Sequence, residues 1–342
     1  MTSFPCWFRD WLPRPSSRDR DIAHGSSTLD ANGAFTISFD AEKDPALNPL
    51  DAPVYSYSVK VDILAENGEM QTAETVIVIG TLKAKYAFTH KHMFTTKENA
   101  DIQLSSTLYS GKPAKGMHGT IVIELLERKK HMQLPLPFEF GDVEGLSEKD
   151  KDILFRYDIC DPADSPFLRK PTATVFSGSF TSDDFGLIKP KLPILKPGTY
   201  RARFIAENET MPFTLETTWS VIDPDAKDMS LDEHVLLQAI KTTLEPGDTA
   251  SIIIGSAWKD ASILMQIESR GKIIKQERFE LSASMKQILI PITNAYRGGI
   301  SIHVSLAKYN RLITKSMSLK VQWSNAKIAI KTSSLRDKTS PG

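Results

Sequence analysis

The sequence is 342 residues long, with 41% hydrophobic and 25% charged residues, the composition of a globular protein of about two or three domains. The 42 Lys and Arg residues balance the 42 Asp and Glu residues, so charge does not favour nucleic acid or an anionic membrane as a partner. The two cysteines, Cys6 and Cys160, lack the closely spaced pairs of a structural zinc site.

Residues 1–25 are aromatic, proline-rich and basic, and they show no strand or helix period. They contain no continuous apolar run followed by a cleavage site, so we expect no signal peptide in this reading frame. No window of the sequence reaches the roughly 18 apolar residues of a membrane-spanning helix. We therefore also expect no membrane span.

The first regular patterns follow Gly25. Asp30-Ala-Asn-Gly33 predicts a turn, because Asn and Asp tolerate left-handed backbone geometry and glycine prefers it. The apolar residues that come next alternate with polar ones, which predicts a strand at Phe35–Phe39.

A predicted hairpin comes next. Tyr57–Ile63 alternates apolar with polar residues, as in a strand with one buried face. Glu66-Asn-Gly68 is a hairpin-turn signal, and Thr75–Ile79 is a β-branched run typical of a fully buried strand. We interpret residues 1–81 as a partial β-sandwich domain.

Residues 82–223 are predicted to form a second β-sandwich, with an insertion at 127–170. Its predicted strands are Asp101–Tyr109, Thr120–Leu126, Thr174–Phe180, the strand that contains Tyr200, and Thr214–Val221. The insertion breaks the strand rhythm with Leu134-Pro-Leu-Pro-Phe138. Ser147 and the acidic residues after it favour a short capped helix within the insertion.

A third sandwich is predicted at residues 228–325, after the linker Asp223-Pro-Asp225. Short, evenly spaced strands are typical of a sandwich. Those predicted here are Ala250–Ile254, Ser262–Ile267, Lys272–Phe279, Lys286–Ile290, Ile300–Leu306 and Ser316–Val321, with Gly271 at a hairpin tip. Residues 326–342 are interpreted as the start of a truncated further domain or a tail. The predicted fold class is all-β, with tandem antiparallel β-sandwiches of the immunoglobulin or fibronectin kind.

Several turn and strand motifs occur in a fixed order along residues 20–338. They include Gly111-Lys-Pro113, Leu195-Lys-Pro-Gly-Thr-Tyr200, Glu245-Pro-Gly-Asp-Thr-Ala250, Gly271-Lys-Ile-Ile274, Tyr296-Arg-Gly-Gly299 and Val321-Gln-Trp-Ser-Asn325. In these motifs the chain resembles the bacterial α2-macroglobulin-like proteins. The resemblance implies stacked macroglobulin-like sandwiches, a location in the periplasm or cell envelope, and other macroglobulin-like domains and proteases as partners.

The resemblance also implies a protease-sensitive bait segment and a Cys–Gln thioester in a helical domain. Neither Cys6 nor Cys160 lies in a Gly-Cys-Gly-Glu-Gln setting, and no helix-rich region is apparent. We therefore interpret the chain as an internal piece of a longer protein or a degraded reading frame. It is expected to be a non-catalytic scaffold segment of an endopeptidase inhibitor.

A few side chains could in principle bind a metal or act in catalysis. His90 and His92 are two residues apart and would share one face of a strand, but no third metal ligand is visible near them. His303 is expected on the polar face of its strand. Ser256 lacks the second glycine of a nucleophile elbow, and Gly298-Gly299 is expected at a turn or strand edge. We assign no catalytic, cofactor-binding or metal-binding residue, and no cofactor.

The alternative function is a carbohydrate-binding or adhesive β-sandwich protein of the cell envelope. It would use tryptophans as stacking surfaces, although such residues are more often core or interface anchors. The candidates are Trp7, Trp11, Trp219, Trp258 and Trp323. The insertion at 127–170 is a candidate bait segment or a long loop, and Asn208-Glu-Thr210 matches a glycosylation triplet. An enzyme is the hypothesis with the least support.

Overall fold

The computed structural model describes residues 20–44, 47–48, 51–64, 68–129, 132, 147, 153, 162–207 and 209–324. The protein is all-β, as predicted. Its strands are β1 (Val54–Leu64), β2 (Met70–Gly80), β3 (Lys85–Thr89), β4 (Met93–Thr95), β5 (Gln103–Thr107), β6 (His118–Leu126), β7 (Pro171–Thr181), β8 (Leu187–Ile188), β9 (Gly198–Ala206), β10 (Phe213–Ile222), β11 (Leu236–Ala239), β12 (Thr243–Leu244), β13 (Thr249–Ser256), β14 (Ala261–Ser269), β15 (Lys272–Leu281), β16 (Ser284–Pro291), β17 (Ile300–Lys308) and β18 (Arg311–Val321). Short 3-10 turns occur at Pro162–Asp164 and Asn294–Tyr296.

The chain forms two compact units, and the boundary after β10 lies between Ile222 and Asp223. The first unit contains strands β1–β10 and the second contains β11–β18. The Asp223-Pro-Asp225 segment stands at this boundary. The domain limits 1–81, 82–223 and 228–325 themselves remain predictions.

Both units contain a two-sheet sandwich with the same topology. In the first unit a five-stranded sheet has the order β4-β10-β9-β6-β7 and a three-stranded sheet has the order β3-β5-β8. The second unit repeats these orders as β12-β18-β17-β14-β15 and β11-β13-β16. Neighbouring strands are antiparallel, except for the parallel pairs β4–β10 and β12–β18. Eight strands therefore recur in the same order, which is the pattern of a repeated domain.

The repeat extends to individual residues in the two parallel strand pairs. Phe94 of β4 lies opposite Val221, and Leu244 of β12 lies opposite Val321. All four side chains are buried. The short parallel strands thus fasten the start of each sandwich to its last strand through matching apolar contacts.

Alternation along the strands decides which side chains reach each core. In β17, Ile300, Ile302, Val304 and Leu306 are buried, whereas Ser301, His303 and Ser305 are only half-buried. This confirms the predicted period of two. The second core also takes in Ile252, Ile254, Ile263 and Met265, and the first is built on Phe94, Ile121, Ile123, Tyr200, Phe204 and Trp219.

Strands β1 and β2 form a long antiparallel hairpin, as the sequence predicted, with Tyr57 opposite Ile77. The prediction of full burial for Thr75–Ile79 is wrong, because Val76 and Ile77 are 57% and 40% exposed. Most residues of β2 are exposed, so no second layer covers both faces of this two-stranded sheet among the described residues. A β-branched run indicates a strand, but it does not indicate what packs on that strand.

The segment before the hairpin also differs from the prediction. The turn at Asp30–Gly33 is present: the Gly33 N–H donates to the Asp30 carbonyl at 3.0 Å, and Gly33 has φ of +73°. Phe35–Phe39, however, does not form a strand. The Phe39 ring instead lies 5.7 Å from the Tyr57 ring, so it packs on β1 through a side chain.

Most of the predicted insertion at 127–170 lies outside the described residues, as do residues 326–342, Cys6 and Cys160. Within the part of the chain that is described, no helix has both the length and the apolar character needed to cross a bilayer.

Candidate functional site

An open cleft of about 550 Å³ lies at one end of the five-stranded sheet of the second unit. It forms where the β14–β15 hairpin tip, the entry to β17 and the last residues of β18 come together. Its lining comprises Thr242, Thr243, Arg270, Arg297, Gly298, Gly299, Ile300, Ser301, Ser318, Leu319 and Lys320. We call it the cationic cleft, because Arg270, Arg297 and Lys320 line it and no acidic residue does.

Turn chemistry shapes the cleft from two sides. Arg270 and Gly271 form the two-residue tip between β14 and β15, and their φ angles are +52° and +75°, as in a type I′ turn. Gly298 and Gly299 have φ of +97° and +136°. A Cβ added at Gly299 would lie 2.7 Å from the Leu319 carbonyl oxygen, so only glycine lets the chain enter β17 this close to β18. The strand-edge role predicted for this glycine pair is confirmed.

The charge of the lining has one sign. Arg270, Arg297 and Lys320 are cationic, and no lining residue is acidic. Arg297 is held in place because its Nε donates to Asn294 Oδ1 at 3.2 Å and its Nη1 donates to the Gln322 carbonyl at 2.6 Å. The exposed side chains of Arg270 and Lys320 form no ion pair with any of the described residues.

Two carboxylates border the site without lining the cleft: Glu268, and Glu245, whose Oε2 accepts from Ser324 Oγ at 2.7 Å beside Trp323. Glu268 lies opposite Ser301 in the sheet, and its Oε2 is 3.0 Å from His303 Nε2. The other imidazole nitrogen of His303 is 2.8 Å from Ser316 Oγ. His303 therefore lies on the polar face of β17, as predicted, where it holds Glu268.

Hydroxyl groups and a tryptophan complete the site. Ser301 Oγ and Ser318 Oγ are 3.0 Å apart on the cleft wall. A neighbouring depression of about 310 Å³ shares Gly298 and Lys320 with the cationic cleft and is lined by Trp323. Trp323 is 53% exposed, and its Nε1 would be 3.7 Å from a Cβ added at Gly298. The site therefore offers cations, hydroxyls and a flat aromatic surface side by side.

The sequence did not reveal the cleft, because its lining comes from segments that are far apart in the chain. The available signal was weak: Arg270-Gly271 and Arg297-Gly298-Gly299 each place a cation beside a turn glycine. Such pairs are common in hairpins, so neither motif alone predicts a site.

The histidine pair weighed as a possible metal site packs against strand β10 instead. His90 and His92 lie in the connection before β4, not in a strand, with ring centroids 6.2 Å apart. His90 Nε2 is 2.7 Å from Thr217 Oγ1, and the ring lies 5.6 Å from that of Trp219. No cluster of three or more metal-ligating side chains occurs among the residues that the structure describes. The arrangement packs β4 onto β10.

The remaining candidates lie mostly within cores. Ser256 is fully buried, and its Oγ accepts a hydrogen bond from the Trp258 N–H at 3.2 Å. Trp219 and Trp258 are buried in the two separate cores. Trp7, Trp11 and Asn208 lie outside the described residues. Of the five tryptophans, Trp323 is the one found on a described surface.

One more polar cluster lies beneath the outer surface of the first unit. Glu124 on β6 accepts from Arg201 Nη2 at 2.8 Å and from Arg203 Nη2 at 2.7 Å, and Arg201 Nη1 donates to the Phe167 carbonyl at 2.6 Å. These contacts fasten the segment before β7 to the sheet. Both arginines form ion pairs with Glu124, although the buried Nε of Arg203 has no hydrogen-bond partner among the described residues, and we assign the cluster a structural role.

No model of a known protein family matches the chain, and no curated protein sequence matches it. Among solved structures, native E. coli alpha-2-macroglobulin is similar with a TM-score of 0.29 and 12% identity over 79% of this chain and 17% of that chain. Trypsin-activated E. coli alpha-2-macroglobulin gives 0.27 and 11% over 80% of this chain and 22% of that chain. Red sea bream transglutaminase gives 0.25 and 7% over 70% of this chain and 31% of that chain. The chain spans less than a third of each, and these similarities concern the β-sandwich fold alone.

Proposed function

We propose that this chain is a non-catalytic scaffold segment of a bacterial protease inhibitor of the α2-macroglobulin kind, working in the periplasm or cell envelope. Its sandwiches would position a bait segment and a protease trap supplied by other parts of a longer protein. Its partners would be further macroglobulin-like domains and, in the assembled inhibitor, proteases.

The observation that carries this proposal is the eight-strand sandwich that occurs twice in tandem, with a separate core each time. Repeated small sandwiches with their own cores are suited to serve as rigid modules within a larger chain. The motifs Glu245–Ala250 and Tyr296–Gly299, in which the sequence resembles this family, form the turns that lead into β13 and β17.

A protease assay tests the non-trapping role. The purified chain is incubated with trypsin, and residual activity is measured on a small chromogenic peptide and on a large protein substrate. A scaffold segment alone should leave both activities at the level of trypsin without the chain. Selective loss of activity on the large substrate would reveal trapping and would overturn the proposal that other parts supply the trap.

The coding DNA on either side provides the second test. The proposal expects neighbouring reading frames with further sandwich repeats and a Gly-Cys-Gly-Glu-Gln segment. Flanking genes unrelated to these would contradict membership in a longer inhibitor, and the repeated sandwich would then have a different role.

A further inference from the structure

We propose that the cationic cleft and the adjoining surface of Trp323 bind an acidic oligosaccharide. Arg270, Arg297 and Lys320 would hold its acid groups, and the Trp323 indole would stack on one of its sugar rings. The inference does not depend on the scaffold function, since it is argued from the lining of the cleft and from Trp323 alone.

Charge gives the first argument. Three cationic side chains line one open cleft without an acidic residue in the lining, and two of them have no ion-pair partner among the described residues. The two bordering carboxylates each have a hydrogen-bond partner of their own, Glu268 in His303 and Glu245 in Ser324. An anion entering the cleft would relieve the mutual repulsion of the cations, so the site selects negatively charged ligands.

Trp323 gives the second argument. A half-exposed indole beside a cationic cleft presents a flat apolar surface together with an N–H donor. A sugar ring offers an apolar face of C–H groups and a rim of hydroxyls, so it can stack on this surface and hydrogen-bond at the same time. An acidic peptide would use the cations but would not need the aromatic surface.

Shape and hydroxyl content give the third argument. The cleft is open and joins the Trp323 depression at Gly298 and Lys320, so it suits an extended chain of rings more than an enclosed small molecule. The hydroxyls of Ser301 and Ser318 lie on its wall, where they can exchange their mutual hydrogen bond for bonds to a sugar.

Calorimetric titration of the full chain tests the proposal at low salt. The acidic probes are trigalacturonate, which carries carboxylates, and a heparin-derived hexasaccharide, which carries sulfates; the neutral probe is maltohexaose. We expect binding of at least one acidic probe, no binding of maltohexaose, and weaker binding at high salt because exposed charges are screened. Binding of trigalacturonate alone assigns carboxylated ligands, and binding of the heparin fragment alone assigns sulfated ones. Absence of binding by both acidic probes overturns the proposal.

Two polyanions that are not saccharides separate charge from sugar recognition. Hexaglutamate and hexathymidylate should bind at least about tenfold more weakly than the better acidic saccharide. Equal or tighter binding of hexaglutamate would overturn the proposal in favour of an acidic peptide site, and equal or tighter binding of hexathymidylate would do so in favour of a nucleic-acid site.

Three variants locate the site. Trp323→Ala and Arg270→Gln should each weaken saccharide binding by about tenfold. Arg278→Gln removes the same charge from an exposed position on β15 outside the cleft and should change affinity by less than about twofold. These side chains are exposed, so all three variants should unfold at the midpoint of the unsubstituted chain. Equal losses in Arg270→Gln and Arg278→Gln would show diffuse charge attraction and would contradict the proposed site.

Discussion

At the scale of single residues, the buried carboxylate of Glu124 has the largest predicted effect on stability. Its side chain is 5% exposed and accepts hydrogen bonds from Arg201 and Arg203, and the side chain of Arg201 is itself only 8% exposed. Replacing one member of such a buried group leaves charge without compensation. We expect Glu124→Gln to destabilise the first unit by about 3–5 kcal/mol, measured from amide exchange of β6 and β9.

Glu277 provides the matched surface control. It lies on β15 with Lys275 Nζ at 3.1 Å and Lys286 Nζ at 3.2 Å, and a third of its side chain is exposed. Exposed ion pairs contribute little, so Glu277→Gln should lower the free energy of unfolding by less than about 1 kcal/mol. A similar effect of the two substitutions would show that burial of Glu124 is not what makes its ion pairs important.

A second residue-scale feature occurs at equivalent corners of both sandwiches. Glu98 accepts from the Thr95 N–H at 3.0 Å and from Lys91 Nζ at 2.9 Å, and Asp248 accepts from the Glu245 N–H at 3.0 Å and from Lys241 Nζ at 3.4 Å. The lysine precedes the acid by seven residues in each case. In each of the two turns, one carboxylate accepts a hydrogen bond from a backbone N–H and another from a lysine side chain.

These contacts make stability depend on pH. Burial raises the pKa of Glu98, but the hydrogen bonds from Lys91 and the Thr95 N–H outweigh it, so the pKa of Glu98 is lowered in the folded protein. Such a carboxylate stabilises the fold above the unfolded-state pKa, and this contribution disappears as pH falls through the folded-state pKa. Glu98→Gln should therefore be less stable than the unsubstituted chain at neutral pH, and the difference should shrink below about pH 4.

Urea unfolding at a series of pH values measures that difference. Thr96→Ser, a neutral change in the same turn, serves as the control and should give a difference that does not vary with pH. A Glu98→Gln difference that stays constant from neutral to acidic pH would show that the carboxylate charge is not involved.

At the scale of elements, β7 and β15 occupy equivalent sheet edges but differ in charge. β15 carries Lys272, Lys275, Glu277, Arg278 and Glu280, whereas β7 has no charged residue over its length of 11 residues. Within the described part of the chain, β7 pairs only with β6. The half-buried rings of Phe176 and Phe180 lie 6.0 Å apart along this edge. An uncharged edge of this length favours strand pairing between molecules.

A lysine on β7 should reduce that association. We expect Ser177→Lys to slow aggregation on mild heating by about threefold or more, followed by light scattering, because edge lysines oppose strand addition. Ser305→Lys adds the same charge to β17, which is paired on both sides, and should leave the rate nearly unchanged. Equal slowing by both variants would indicate a general effect of net charge.

Strands β13–β18 of the second unit were predicted because most of them alternate apolar with polar residues and their turns contain glycine, as at Arg270-Gly271. The short strands β3, β4, β8, β11 and β12 were missed, since two to five residues are too few to show a clear period. Burial of β2 was predicted wrongly because the sequence of Thr75–Ile79 specifies a strand but not its covering layer. The cationic cleft depends on contacts between distant turns, which no local pattern records.

At the scale of the whole molecule, the two units bury separate clusters of apolar side chains, so a cavity in one core should affect that core. Ile302 on β17 and Ile123 on β6 are both fully buried. Truncating either to alanine leaves a cavity that costs about 2–5 kcal/mol. For Ile302→Ala we expect faster amide exchange throughout β13–β18 and unchanged exchange in β5, β6 and β9.

Ile123→Ala is the reciprocal variant and should give the opposite pattern, with faster exchange in the first unit and unchanged protection in the second. Hydrogen exchange measured by mass spectrometry resolves the two units in one experiment on the full chain. Parallel loss of protection in both units for either variant would mean that the sandwiches unfold as one cooperative body. Confined loss would establish them as serial modules, which is the physical property that a scaffold of repeated sandwiches requires.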